Sequence, residues 1–149
     1  MMTRILRAIT RNEAQTHPAA PDPRLRGRRY AIPFDRVWSA ATLLADEGLP
    51  GWRVQTWNDR DGIIQAEARG GFLRRTDDVI IRITLDETAQ TRVDLTSRSR
   101  SGGVDFGTNA RRITTFLEAL DAKLGATPAQ ILDAGAGRRP PSPPIGLRA

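Results

Sequence analysis

The residues whose types and spacing could do chemistry lie between Thr96 and Ile113, in TSRSRSGGVDFGTNARRI, with an acidic pair, Asp77-Asp78, upstream. Ser97-Arg98 and Ser99-Arg100 end an alternating strand, a glycine-rich turn carries Asp105, and Thr108, Asn109, Arg111 and Arg112 open a helix. Guanidinium groups beside a helix N-terminus can close around a phosphate or carboxylate, because charge-assisted hydrogen bonds and free backbone N–H groups converge there. The same residues can instead spend themselves on one another. Asp77 and Asp78 are expected to face Arg98 or Arg100 across the sheet, and Asp105 and Asn109 to bind backbone groups at the helix start. Such a network staples loops 71–78 and 101–107 together and performs no reaction.

Covalent chemistry finds little support in these residue types. Ser97 or Ser99 would need a base, and the single histidine, His17, lies far upstream in a polar, Pro-flanked segment. Lys123, the only lysine, sits near the far end of the helix, and there is no cysteine to serve as nucleophile, thiolate ligand or disulfide. The aspartates could offer oxygen ligands to a divalent cation, but neighbouring arginines compete for the same oxygens. No residue is therefore assigned a catalytic or metal-binding role, and no cofactor is implied.

The chain has 149 residues, 39% hydrophobic and 27% charged, enough for one domain with a single core. Its formal net charge of +6 is unevenly placed. Residues 1–29 hold seven arginines against Glu13 and Asp22, residues 30–124 hold thirteen basic and fourteen acidic side chains, and residues 125–149 hold three arginines against Asp133. The central part is near neutral, and aromatic platforms are scarce, so sequence-specific nucleic-acid binding is not expected. The arginine-bearing ends allow only a weak, salt-sensitive attraction to a polyanion or membrane surface. No apolar run approaches the length of a membrane-spanning helix. The opening MMTRILRAITRNE interrupts Ile5, Leu6 and Ile9 with arginines and lacks a signal-peptide core, so a cytoplasmic location is expected, with association to a membrane complex left open.

Hydrophobic periodicity sets out the elements that must position the polar junction. Residues 1–29 read as a basic, partly extended segment. A short strand at 28–32 is followed by a helix from Phe34 to about Glu47, with Phe34, Val37, Trp38, Ala41, Leu44 and Ala45 on one face and Gly48 as its expected left-handed stop. Trp52 to Trp57 and Ile63 to Arg69 make a hairpin around Asn58-Asp59-Arg60-Asp61-Gly62, and Val79 to Leu85 and Arg92 to Arg100 make a second. A helix from Thr108 to Leu124 buries Ile113, Phe116, Leu117, Leu120 and Leu124, and Thr127-Pro128 opens a short helix before the Pro/Arg-rich tail at 138–149. The order β-α-β-β-β-β-α predicts an α+β domain at 30–125. Its two layers would be an antiparallel sheet of about five strands and two helices on one face. Trp57, alternating away from Val54, is expected to join Ile63 and Ile80 in an exposed apolar patch on the other face, a candidate partner surface.

Phe72, Asp77-Asp78-Val79 and Arg82, followed by Ser97-Arg98-Ser99-Arg100, Asp105, Gly107, Asn109 and Arg111-Arg112, resemble the domain of unknown function 1499 family over roughly residues 30–124. The resemblance brings no established activity. It adds Arg82 to the candidate network or anion site formed by Asp77, Asp78, Ser97, Arg98, Ser99, Arg100, Asp105, Asn109, Arg111 and Arg112.

The expected function is non-catalytic. The chain reads as an accessory or adaptor protein, alone or as a subunit of a larger complex, binding a macromolecular partner through its extensions and one sheet face. A binding domain for a small phosphate or carboxylate ligand at the strand-to-helix junction is the first alternative, and a hydrolase the second.

Overall fold

A computed structural model describes the backbone of residues 9–10 and the whole of residues 13–70, 75–100 and 107–135. Among these residues eight strands make one antiparallel sheet: β1 (Ile9–Thr10), β2 (Glu13–Gln15), β3 (Arg28–Tyr30), β4 (Trp52–Asn58), β5 (Ile63–Gly70), β6 (Arg75–Leu85), β7 (Thr91–Ser99) and β8 (Ile131–Leu132). Two helices, α1 (Phe34–Leu43) and α2 (Thr108–Leu124), pack on one side of it. The sheet runs β1-β2-β7-β6-β5-β4, and β3 shares the outer edge of β7 with β2 before pairing with β8. This is the α+β, two-layer domain that the periodicity predicts, enlarged by three short strands.

Alternation within β5, β6 and β7 decides what is buried. Ile64, Ala66 and Ala68, Val79, Ile81 and Ile83, and Val93 and Leu95 point at the helices, and each is at most 3% exposed. Val37 and Ala41 of α1 and Ile113, Phe116, Leu117 and Leu120 of α2 close the core from above. Trp52 of β4 stacks on Phe116 at 5.1 Å between centroids, tying the far edge of the sheet to the middle of α2.

The N-terminal segment is not an appendage. Glu13, Ala14 and Gln15 pair with Arg98, Ser97 and Thr96, and Arg28 to Tyr30 pair with Val93 to Thr91. Between these strands Ala20 and Leu25 enter the core, as does Ala14 of β2, none of them more than 1% exposed. The boundary expected at residue 29 therefore gives way. Glu-Ala-Gln carries one small apolar residue and shows no period, so its strand is set by the free edge of β7 and not by its own sequence.

Two helix ends also differ from expectation. After α1 the chain passes through one wide turn, Leu44–Gly48, where Glu47 (φ 70°) takes the left-handed conformation in place of Gly48. Gly48 serves a close approach instead, since a Cβ there would stand 2.7 Å from the Leu43 carbonyl oxygen. Thr127-Pro128 opens a tight turn closed by Gln130, whose side chain accepts from the Thr127 N–H, and the chain returns as β8 against β3. The short helix expected there does not form, because Ile131 and Leu132 satisfy their backbone on a sheet edge.

Asp86 holds the β6–β7 hairpin. Its carboxylate accepts from the Thr88 and Gln90 N–H groups, from the Thr88 hydroxyl and from the Arg29 guanidinium of β3. Burial pushes its acidity down, but hydrogen bonds from Arg29, Gln90 and Thr88 outweigh that and hold the carboxyl well below the usual carboxylate range. A depressed carboxyl contributes stability that is complete above its unfolded value of about 3.9 and is lost as pH falls further. Asp86→Asn should therefore flatten the fall of the urea midpoint between about pH 4 and pH 2. Parallel profiles for the two proteins would contradict this assignment.

Candidate functional site

The polar residues singled out at the β7–α2 junction divide between the two faces of the sheet, and the division follows from strand alternation. Asp77 lies in phase with Val79, Ile81 and Ile83, so it turns inward, under the N-terminal end of α2, and is 1% exposed. Arg112 reaches down from the first turns of α2, and its Nε donates to Asp77 Oδ2 at 2.9 Å. Beside this pair, Asn109, itself fully buried, joins Ser97 and Ser99. The Ser97 hydroxyl donates to Asn109 Oδ1 at 2.7 Å, and Asn109 Nδ2 donates to Ser99 Oγ at 3.2 Å. Asn109 extends the apolar stripe of α2 by one turn, so its buried amide is answered by the two serines of the strand below.

The odd-phase residues make a separate cluster on the solvent face. Glu67, Asp78 and Arg98 stand in one row across β5, β6 and β7. Arg100 folds over that row, donating from Nε and Nη2 to Asp78 at 2.7–3.0 Å and from Nη2 to Glu67 at 2.6 Å. Hydrogen bonds to Asp78 and then Glu67 push the Arg100 guanidinium above its usual value, so it stays charged throughout. Expectation thus holds for Asp78, which meets Arg100, and fails for Asp77, which turns away from both strand arginines to Arg112. Asn109 bonds the side chains of Ser97 and Ser99.

Arg82 does not belong to either cluster. It lies further along the solvent face, between Ile63 and Asp94 in the register, and is exposed. Arg98 and Arg111 are also exposed, and Asp105 lies outside the described residues.

The apolar patch expected from Trp57, Ile63 and Ile80 is broken by a β-bulge. Between Val54 and Thr56 the register of β4 slips by one residue at Gln55. Thr56 then sits opposite Gln65 on the solvent face, bonded to it at 3.0 Å, while Trp57 sits opposite inward-facing Ile64. Ile80, 41% exposed, remains on the solvent face with half-buried Ile63 diagonally opposite. Trp57, 63% exposed, projects from the other side of the edge strand.

One feature of the site was not legible from local sequence. The turn at Leu49-Pro50-Gly51 is brought against α2, and a cleft of about 280 Å³ opens between Leu49, Pro50 and Trp52 on one wall and Arg111, Arg112 and Thr115 on the other. Gly51 (φ 82°) lets the turn close onto the end of β5, since a Cβ there would fall 1.8 Å from the Arg69 carbonyl oxygen. Arg111 and Thr115 are one turn apart on α2, which was the available signal. The opposing wall comes from about sixty residues earlier and gives none.

The junction, held at the helix end by Asp77–Arg112 and Ser97–Asn109–Ser99, lies within residues 8–120, which match the model of a family described as a protein of unknown function (DUF1499). The chain belongs to the DUF1499 family. No curated protein matches the chain. The DUF1499 match begins at residue 8, well before the domain start expected from the motif, and so takes in β1, β2 and β3 along with the junction. Among the described residues no helix is long and apolar enough to cross a membrane.

Proposed function

We propose that this DUF1499 protein is a non-catalytic accessory protein that binds a macromolecular partner, either as an adaptor or as a subunit of a larger assembly. The observation that carries this reading is how the polar side chains of the junction are used. Ser97 and Ser99, at most 3% exposed, are bonded to Asn109. Asp77 is held by Arg112, and Asp78 and Glu67 by Arg100. A nucleophile must be reachable and paired with a base, and these hydroxyls are neither. Their geometry suits a clamp that fixes α2 on the sheet.

The domain also turns large apolar side chains outward. Trp57 and Ile80 project on opposite faces of the β4–β6 region, and each offers an exposed apolar side chain that a partner would cover. The N-terminal segment belongs to the fold, so of the two extensions the tail at 138–149, which lies outside the described residues, is the remaining candidate contact.

The test compares tagged full-length protein with the Trp57→Ser/Ile80→Lys double variant by affinity purification and quantitative mass spectrometry. A partner that co-purifies in fixed proportion with the parent should be depleted at least about tenfold from the variant, a loss of about 1.4 kcal/mol of binding. Equal recovery of every co-purifying protein would contradict the proposal.

A further inference from the structure

The cleft between the Leu49-Pro50 turn and α2 differs from its neighbour in charge. The adjoining hollow of about 380 Å³ on the other side of the turn is lined by Glu47 and Glu67 as well as Arg53 and Arg69, two acids against two bases. Among the described residues, the cleft at α2 is lined by Arg111 and Arg112 with no carboxylate on its walls. Arg112 is a positioned donor. Its side chain is 13% exposed, and its Nε is committed to Asp77, which fixes the plane of the guanidinium. Its Nη groups make no hydrogen bond among the described residues. Arg111, one residue earlier, makes no side-chain hydrogen bond among the described residues and is exposed at the mouth. Two guanidinium groups with open donor edges on one wall match an oxyanion, because the planar fork binds a carboxylate through two parallel hydrogen bonds.

The opposite wall narrows the ligand further. Leu49, Pro50 and the nearly buried Trp52 present carbon, and Trp52 is kept in place by its stack on Phe116. A wholly hydrophilic ion would leave that wall wet, whereas an apolar chain laid along it buries carbon on carbon. The volume, about 280 Å³, stands just below the range for drug-sized ligands, roughly 300–1,000 Å³, and so suits a smaller molecule.

We infer that this cleft binds a small organic carboxylate. The acid group lies on Arg112 and Arg111, and a short apolar body lies along Leu49, Pro50 and Trp52. This site is separate from the partner surface at Trp57 and Ile80 and does not depend on it. Binding here is non-covalent and leaves Asp77–Arg112 intact.

The test is titration calorimetry on the full chain at low salt with three probes: octanoate, octanol and inorganic phosphate. Octanoate should bind at least about tenfold tighter than either octanol, which lacks the charge, or phosphate, which lacks the chain. Arg111→Ala, which removes an exposed side chain with no hydrogen bond among the described residues, should weaken octanoate about tenfold while leaving the melting temperature and circular dichroism of the free protein unchanged. Trp57→Ser should leave octanoate binding as it is, which separates this site from the partner reading. Absence of octanoate binding at millimolar concentration would overturn the inference. So would equal binding of octanol or phosphate, or an unchanged affinity in Arg111→Ala.

Discussion

Removing residues 1–27 should abolish the native fold, and a truncated chain starting at Arg28 should show no cooperative melting. The segment looks dispensable in sequence, with its arginines, prolines and lone histidine, yet it supplies Ala14, Ala20 and Leu25 to the core and pairs β2 along the upper half of β7. Deleting it would bare the β7 edge at Thr96 to Arg98 and open a cavity under α2, where the Pro23–Leu25 turn packs. Leu25 alone, at 1% exposed, is worth about 2–5 kcal/mol on truncation to alanine, a large share of the 5–15 kcal/mol that holds a domain together. Thermal melting followed by circular dichroism distinguishes the outcomes. A truncated protein melting within a few degrees of the parent would return the segment to the status of a tail.

The second large effect is expected at Arg112. Among the described residues, Arg112→Ala leaves Asp77, 1% exposed, with neither oxygen bonded, because Oδ1 already lacks a partner and Oδ2 has only Arg112. Breaking a buried ion pair from one side costs about 3–5 kcal/mol, since the remaining charge keeps its desolvation penalty and loses its compensation. For a domain of this size that corresponds to a fall in melting temperature of about 10 °C or more. Its neighbour supplies the control. Arg111→Ala, one position along the same helix and exposed, should change stability by no more than about 0.5 kcal/mol. If the two variants melted alike, the buried pair would not be what fastens α2.

The same contrast shows what could be read in advance. The apolar stripes of α1 and α2, the two hairpins and the inward set Val79, Ile81, Ile83 were legible because each repeats at its own period. That period also carries Asp77 inward, two residues before Val79, and Asn109 onto the buried stripe, four residues before Ile113. The composition of the acidic pair disguised this, since both aspartates look like surface residues and strand alternation sends them to opposite faces. Three features could not be read locally. The bulge at Gln55 inverts Trp57 relative to Ile80, a slip that depends on the partner strand. The strands β2 and β8 are chosen by free sheet edges and not by their own residues. The cleft against Arg111 and Arg112 is walled by Leu49 and Pro50, placed there by the path of the chain from α1 to β4.

One geometric fact underlies the account: at the end of β7 Asp77 is committed to Arg112, and Ser97 and Ser99 to Asn109, so the junction is a fastening for α2. A double-mutant cycle on Asp77 and Arg112, measured by urea denaturation, tests it most directly. Asp77→Ala and Arg112→Ala should each be strongly destabilising, and the double variant should be no worse than the poorer single one, giving a coupling of at least about 2 kcal/mol. Single effects that add to within about 0.5 kcal/mol would mean that the two side chains act independently, and the junction would then have to be explained by something other than their pairing.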